Sequence, residues 1–214
     1  MKLVLKKQHD ITGFAGTDES RYVLLGVHYN KSKNRLEATD GRLMVWLPVD
    51  PKVDDRDLPP VKPAGVKSDD SPADCIIPSN TLREAIEKAT SKEWTVDVLG
   101  HVVFETSSQN MSPPLVALSS TDLDRTHTVI SKTHDGDYPN MQSLIDDAAA
   151  KPVKFKIALS PYLLKKFAEY AIRNSTECKS IEFRFTGELD AARITIPLKD
   201  GGVLSGLLMP MRNG

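Results

Sequence analysis

Apolar residues along this chain fall into two patterns. Short β-branched and aromatic runs are separated by turn formers, and two longer stretches carry an apolar stripe at helical spacing. Residues 21–49 hold the first set of strands. Tyr22-Val23-Leu24-Leu25-Gly26-Val27-His28-Tyr29 is aromatic and β-branched, Asn30 to Asn34 is a polar turn, and Leu36 to Thr39 leads to Asp40-Gly41. Asp-Gly between apolar runs predicts a β-hairpin, with RLMVWLPV (42–49) as the returning strand. The first helical stripe is Leu82, Ala85, Ile86 and Ala89; the second is Leu163, Leu164, Phe167, Ala168 and Ala171. Ser79 or Asn80 is placed to cap the first helix, and Thr81 with Glu84 has capping-box spacing. Ser160 is placed to cap the second, with Pro161 at the first helical position, where a missing N–H costs nothing.

The two helical stretches sit in similar surroundings. CIIPSNTLREAIEKATSKEWTVDVLGHVVFET and KIALSPYLLKKFAEYAIRNSTECKSIEFRFTG each read strand, serine, helix, strand, turn, strand. Ser79 matches Ser160, Leu82 matches Leu163 and Ile86 matches Phe167 at one constant offset, which predicts an internal repeat of a β-α-β-β unit. The segment before Tyr22, HDITGFAGTDES, has two glycines and no helical stripe, so a first unit would lack its helix. Residues 50–74 are dense in proline and charge and read as a long solvated loop, expected to be mobile. The expected fold class is therefore α+β, with repeated β-α-β-β units, antiparallel sheets and two clear helices. The expected division is residues 1–146, holding two units, and 147–214, holding a further one.

Composition narrows the chemistry. The 214 residues suffice for one large or two small domains, and a formal net charge of −1 demands neither a nucleic-acid nor a membrane partner overall. Cys75 and Cys178 match no metal spacing and read as two free thiols in a reducing cytosol. MKLVLKK is too short an apolar run for a signal peptide, and no run reaches transmembrane length, so a cytoplasmic protein is expected. The five histidines form no H-x-x-x-H or H-E-x-x-H pattern. His127 after Asp124-Arg125, and His134-Asp135, both read as parts of polar turns rather than metal ligands. Asp54-Asp55, Asp69-Asp70 and Asp146-Asp147 read as solvated loop charges. No P-loop, dinucleotide-binding glycine pattern or nucleophile elbow is present, so no enzyme, cofactor or metal site is expected.

Two further signals are apolar: DGDYPNMQSLI (135–145) and the terminus GLLMPMRNG (206–214). An apolar chain end is expected to be pinned, and Pro210, which cannot donate a ladder hydrogen bond, belongs at a sheet edge. Together with the hairpin, these segments resemble the bacterial sliding clamp, the beta subunit of the replicative DNA polymerase. That family carries A-T-D-G-H-R-L-A, then G-R-[FY]-P-D-Y at the following domain junction, then M-P-M-R at its end. The corresponding residues here are Ala38-Thr39-Asp40-Gly41-Arg42-Leu43-Met44, Gly136-Asp137-Tyr138-Pro139-Asn140-Met141 and Met209-Pro210-Met211-Arg212.

The resemblance, which runs from about Tyr22 onward, implies a ring of paired units. Helices would face double-stranded DNA, contacting its backbone without sequence readout, while sheets form the outer wall. It implies a non-enzymatic processivity factor that tethers polymerase and takes partner peptides into an apolar groove. Thr39, Gly41, Arg42, Met44, Pro139, Leu144, Leu207, Met209, Pro210, Met211 and Arg212 would line that groove. Arg83, Lys88, Lys92, Lys165, Lys166 and Arg173 on the polar helix faces would meet DNA, diluted by Glu84, Glu87 and Glu169. The chain departs from the family in three respects. The basic residue after the glycine has moved by one position to Arg42, Ser143 stands where the family has an arginine, and the chain is about half as long. Two readings follow: a compact, phage-like clamp that closes a ring as a homo-oligomer, or a non-ring module that captures clamp-binding peptides without encircling DNA.

Overall fold

In the first part of the chain, two halves exchange strands: the first strand of each half pairs with the other half. The computed structural model describes residues 3–49, 69, 71–89, 97–107, 112–121, 124–175, 180–199 and 201–211. They divide into two units, Met1–Gln142 and Ser143–Gly214. In the first unit the strands are β1 (Leu3–Leu5), β2 (Gly26–Asn30), β3 (Arg35–Thr39), β4 (Met44–Pro48), β5 (Cys75–Pro78), β6 (Val102–Ser107), β7 (Leu115–Thr121) and β8 (Thr126–Lys132). They make two antiparallel sheets, ordered β1-β6-β7-β8 and β4-β3-β2-β5. Each is a three-stranded meander closed by a visitor: β1 places Leu3 opposite Phe104 on β6, and β5 places Ile77 opposite Val27 on β2.

Helix α1 (Ser79–Ala89) holds these sheets together. It lies against β7 and β8 of one sheet and β5 and β2 of the other. Leu82, Ala85, Ile86 and Ala89, the stripe read from the sequence, are all buried. They share one core with Leu5, Val27, Leu36, Ile77, Phe104 and Leu118, which come from both sheets. Burying Leu82 and Ile86 contributes roughly 1.5–3 kcal/mol each.

Several local expectations are corrected. Residues 21–25 are not strand but the end of a 3₁₀ segment, Glu19–Leu25, the third after Lys7–His9 and Thr12–Phe14. The Asp18 carboxylate accepts from the Ser20 N–H at 3.0 Å and its hydroxyl at 2.7 Å, so the chain turns before β2. The Ser79 hydroxyl does not cap α1; it donates to the Leu25 carbonyl at 2.6 Å, and Asn80 Oδ1 accepts the Thr81 N–H at 2.8 Å. A third α-helix, α2 (Met141–Ala149), follows Pro139. Asn140 Oδ1 accepts the Gln142 N–H at its start, and Asp146-Asp147 lie on it rather than in a loop. Most of 50–74, with Lys92, Cys178 and Arg212, lies outside the described residues.

The second unit is a single layer pair. Helix α3 (Pro161–Asn174) packs on an antiparallel sheet β11-β10-β9, built from β9 (Glu182–Arg184), β10 (Ala192–Pro197) and β11 (Val203–Leu208). Pro161 starts the helix as expected, while Ser160 is extended and makes no side-chain cap. The core is Ala171, Ala192, Ile194, Ile196 and Leu208, with Leu164 and Phe167 against it. Gly206 permits this approach, because a Cβ there would meet the Phe167 ring at 3.0 Å. Leu163 occupies the repeat position of Leu82, yet it is 41% exposed where Leu82 is 0%. Within its unit, α3 has one sheet to pack on where α1 has two.

This difference sets a stability test. Leu82→Ala should cost about 2–5 kcal/mol through lost burial and a cavity. Leu163→Ala should cost under about 1 kcal/mol, because an exposed side chain leaves no cavity. Denaturant unfolding of both variants checks the contrast.

Candidate functional site

The hairpin between β3 and β4 is the best-defined part of the predicted site. Thr39 pairs with Met44, so the loop is four residues, Asp40 to Leu43, rather than a two-residue turn. Side chains lock it. The Thr39 hydroxyl donates to the Leu43 carbonyl at 2.5 Å and accepts the Gly41 N–H at 3.0 Å. Asp40 Oδ1 accepts the N–H groups of Arg42 at 2.8 Å and Leu43 at 2.9 Å. The bonds from Leu43 and Arg42 hold the Asp40 carboxyl below its ordinary pKa. Gly41 has φ +88°, a region that favours glycine, and a Cβ there would meet Arg21 Nη1 at 2.7 Å. Arg42 lies in this loop and not on a strand, so its one-position shift from the family pattern does not move it to the opposite sheet face.

Beside the loop is a cleft of about 310 Å³ lined by Gly16, Asp18, Arg21, Leu24, Asp40 and Arg42. Arg21 and Leu24 are missing from the sequence-derived site. They were hidden in a run that reads as strand, although Asp18 two residues before Ser20 is a legible capping signal. Thr39 is buried, Met44 half-buried, and Gly41 and Arg42 exposed.

The junction segment is tied to the same sheet through an ionic ladder. His28 on β2 reaches Glu37 Oε2 with Nδ1 at 2.9 Å and Asp74 Oδ1 with Nε2 at 2.7 Å. Glu37, almost fully buried, also accepts from Arg35 Nε at 2.6 Å and Asn30 Nδ2 at 3.1 Å. Tyr138 stacks on the His28 ring at 4.8 Å, next to exposed Pro139. The His134 ring stacks on Tyr22 at 4.2 Å, and the His134 backbone N–H donates to the Ile76 carbonyl at 2.9 Å. Burial by itself lowers the His28 pKa, but hydrogen bonds to Glu37 and Asp74 outweigh it and the net shift is upward. Burial by itself raises the Glu37 pKa, but bonds from His28 and Arg35 turn the net shift downward.

In the second unit the tail alternates. Leu208 faces the core, while Leu207, Met209 and Met211 are more than half exposed. Met211 N–H donates to the Ala158 carbonyl at 2.8 Å, so the apolar end is pinned through its backbone. Arg193, Thr195, Ser205 and Leu207 line a shallow cleft of about 270 Å³ on β10 and β11. Pro210 is half-buried just beyond edge strand β11, and Leu144 is exposed on α2.

The helix cations differ in their freedom. Arg83 is exposed but donates twice to Thr12 Oγ1, at 2.9 and 3.1 Å. Lys165 lies 3.7 Å from Glu169, and Arg173 donates to the Glu169 carbonyl. Lys88 and Lys166 are exposed. Among the described residues no group of three or more His, Cys, Asp or Glu is placed to hold a metal, and His127 lies 3.8 Å from Glu84. No helix among them is long and apolar enough to cross a membrane.

Two outcomes follow from this geometry. Gly41→Ala should destabilise the first unit by about 1 kcal/mol or more, from the positive φ and the crowding against Arg21. Gly41→Asn should cost less, since asparagine tolerates that region better; thermal unfolding compares the two. The raised His28 pKa makes its ion pairing a stabilising term present in full below the unfolded value of 6.5. That term is lost as pH rises through the higher folded value. Unfolding free energy should therefore fall as pH rises above 6.5, and His28→Gln should flatten the dependence.

No family model and no curated protein matches this chain. Solved structures do. The DNA polymerase III beta chain of Streptococcus pneumoniae matches with TM-score 0.63 and 18% identity, over 99% of this chain and 50% of that one. The beta subunit from Streptococcus pyogenes gives 0.64 and 18%, over 99% and 50%. The DNA polymerase sliding clamp from Pseudomonas aeruginosa gives 0.61 and 16%, over 100% and 52%. The chain spans about half the length of the clamps it matches. The antiparallel sheets, the meander that follows α1 and again α3, and the match along the full chain show that it has the fold of a bacterial DNA polymerase sliding clamp over about half of that protein's length.

Proposed function

We propose that this chain is a clamp-like DNA replication protein, a non-enzymatic tether that holds polymerase at DNA by binding partner peptides. The observation that carries the reading is the rigid Asp40–Leu43 loop, held by four side-chain-to-backbone hydrogen bonds beside a cleft. A loop fixed before binding loses little entropy when a peptide docks, which favours anchoring by a few side chains. The exposed Met209 and Met211 supply adaptable apolar surface of the kind that accepts several partners. Thr39, Gly41, Arg42 and Met44, with Pro139, Leu144, Leu207 and Met209 to Arg212, are the proposed contacts. DNA contact is assigned to Lys88, Lys165, Lys166 and Arg173, with Lys92 on the sequence pattern alone and Arg83 less available. The location that goes with this work is the cytoplasm.

A second reading has an observation of its own. The chain is half a clamp long, and its second unit has one sheet where the first has two. A chain so built would serve equally as a peptide-capturing module that does not surround DNA. Binding to a short clamp-binding peptide and retention on nicked circular DNA separate the readings. Met211→Ala and Gly41→Arg should each weaken peptide binding about tenfold or more, and intact binding in both would end the groove assignment. Lys165→Glu with Lys166→Glu should reduce circular-DNA retention and its salt dependence, leaving peptide binding unchanged. Retention equal on linear and circular DNA would leave the non-ring module.

A further inference from the structure

We infer that two copies of this chain pair through their second units by exchanging the segment before α3, residues 153–159, across a two-fold axis. The inference rests on topology and holds whether or not the peptide reading does. The first unit supplies the rule. Neither of its first strands stays in its own repeat: β5, just before α1, pairs with β2, and β1 pairs with the open edge of β6. The second unit repeats the second half of this plan, with α3 followed by the meander β9-β10-β11 in the order of β6-β7-β8. Among the described residues this unit has no second meander. The segment VKFKIAL before α3 stands where β5 stands before α1, but it belongs to no sheet. The edge of β9 that corresponds to the β1-covered edge of β6 has no strand on it among the described residues.

These two vacancies are complementary, and both occur on every copy. An isologous pair fills both at once, each copy's segment adding to the other's β9. The side chains agree. Val153, Phe155 and Ile157 alternate with Lys154 and Lys156, as a half-buried strand requires. Val153 is 70% exposed and Phe155 43%, and Phe185 just past β9 is also exposed. The segment brings Lys154 and Lys156, while the β9 side brings Glu182, Glu188 and Asp190 against Arg184. The segment already lies near this flank of its own sheet. Phe155 and Phe185 rings are 6.3 Å apart, Lys156 N–H reaches Glu188 Oε1 at 3.3 Å and the Ala158 carbonyl accepts from Met211 N–H, but the segment forms no ladder with β9. The same pairing would cover the side of α3 at which Leu163 is exposed, giving that helix a second sheet as α1 has.

Solution mass over a range of concentrations tests this on the full chain. An even number of copies is expected, with a dimer as the smallest species. Phe155→Pro removes an N–H from the exchanged strand without breaking any bond inside the unit, and should weaken dimerisation about tenfold or more. Phe155→Lys, which leaves the backbone free, should act in the same direction if the proline variant unfolds, as judged by circular dichroism. Met211→Ala should leave the mass unchanged, so failure of the groove and failure of the pairing are read separately. A monomer at all concentrations, an odd-numbered assembly, or a dimer that folded Phe155→Pro and Phe155→Lys variants leave intact would overturn the inference.

Discussion

The structure depends on one shared apolar stripe. Leu82, Ala85, Ile86 and Ala89 on α1 are buried by two sheets at once. A helix covered on one side still leaves apolar surface in water; a helix covered on both sides makes the two sheets cooperate, since neither buries its inner face without it. The α3 unit shows the same element without that condition. Its stripe reads as well in sequence, yet Leu163 remains exposed, because burial is decided by what surrounds the helix as much as by the helix itself.

The polar ladder of β2 and β3 plays a different part. Buried ions cost desolvation and demand hydrogen-bonding partners to offset it. Glu37 meets that demand with His28, Arg35 and Asn30. Because Tyr138 lies on the His28 ring, the ladder also fixes where the junction segment crosses the sheet. The hairpin loop at the end of β3 and the junction segment thus owe their positions to one pair of strands. Both pieces are therefore held by the frame of that sheet.

The legible parts of the molecule were those written in local periodicity. The α1 stripe, the β2–β3–β4 order and the start of α3 at Pro161 follow from spacing and turn residues alone. What stayed hidden was decided elsewhere. Residues 21–25 have strand composition but turn in a 3₁₀ segment because Asp18 captures the Ser20 backbone. Ser79 has the position of a cap, yet its hydroxyl serves Leu25 on another element. Helix α2 was masked by Pro139 and by two aspartates that look like loop. Arg21 and Leu24 enter the cleft only because the chain turns before β2, so no pattern centred on Asp40-Gly41 contains them. The resemblance to clamps rested on three short motifs whose residues lie far apart in the chain, which is why it pointed to the fold although overall identity is only 15–18%.

Pairing of Leu3 with Phe104 has a consequence for how the chain comes into being. A ribosome makes β1 before β6, so β1 must wait unpaired until about a hundred further residues have emerged. Contacts between such distant positions slow folding, because a long loop has to close before they are rewarded. The strand Leu3–Leu5 is short and flanked by Lys2, Lys6 and Lys7, which keeps a waiting strand soluble. The order of synthesis and the order of assembly therefore run in opposite directions for this sheet: β1 is made before β6 yet is among the last of its strands to find its place.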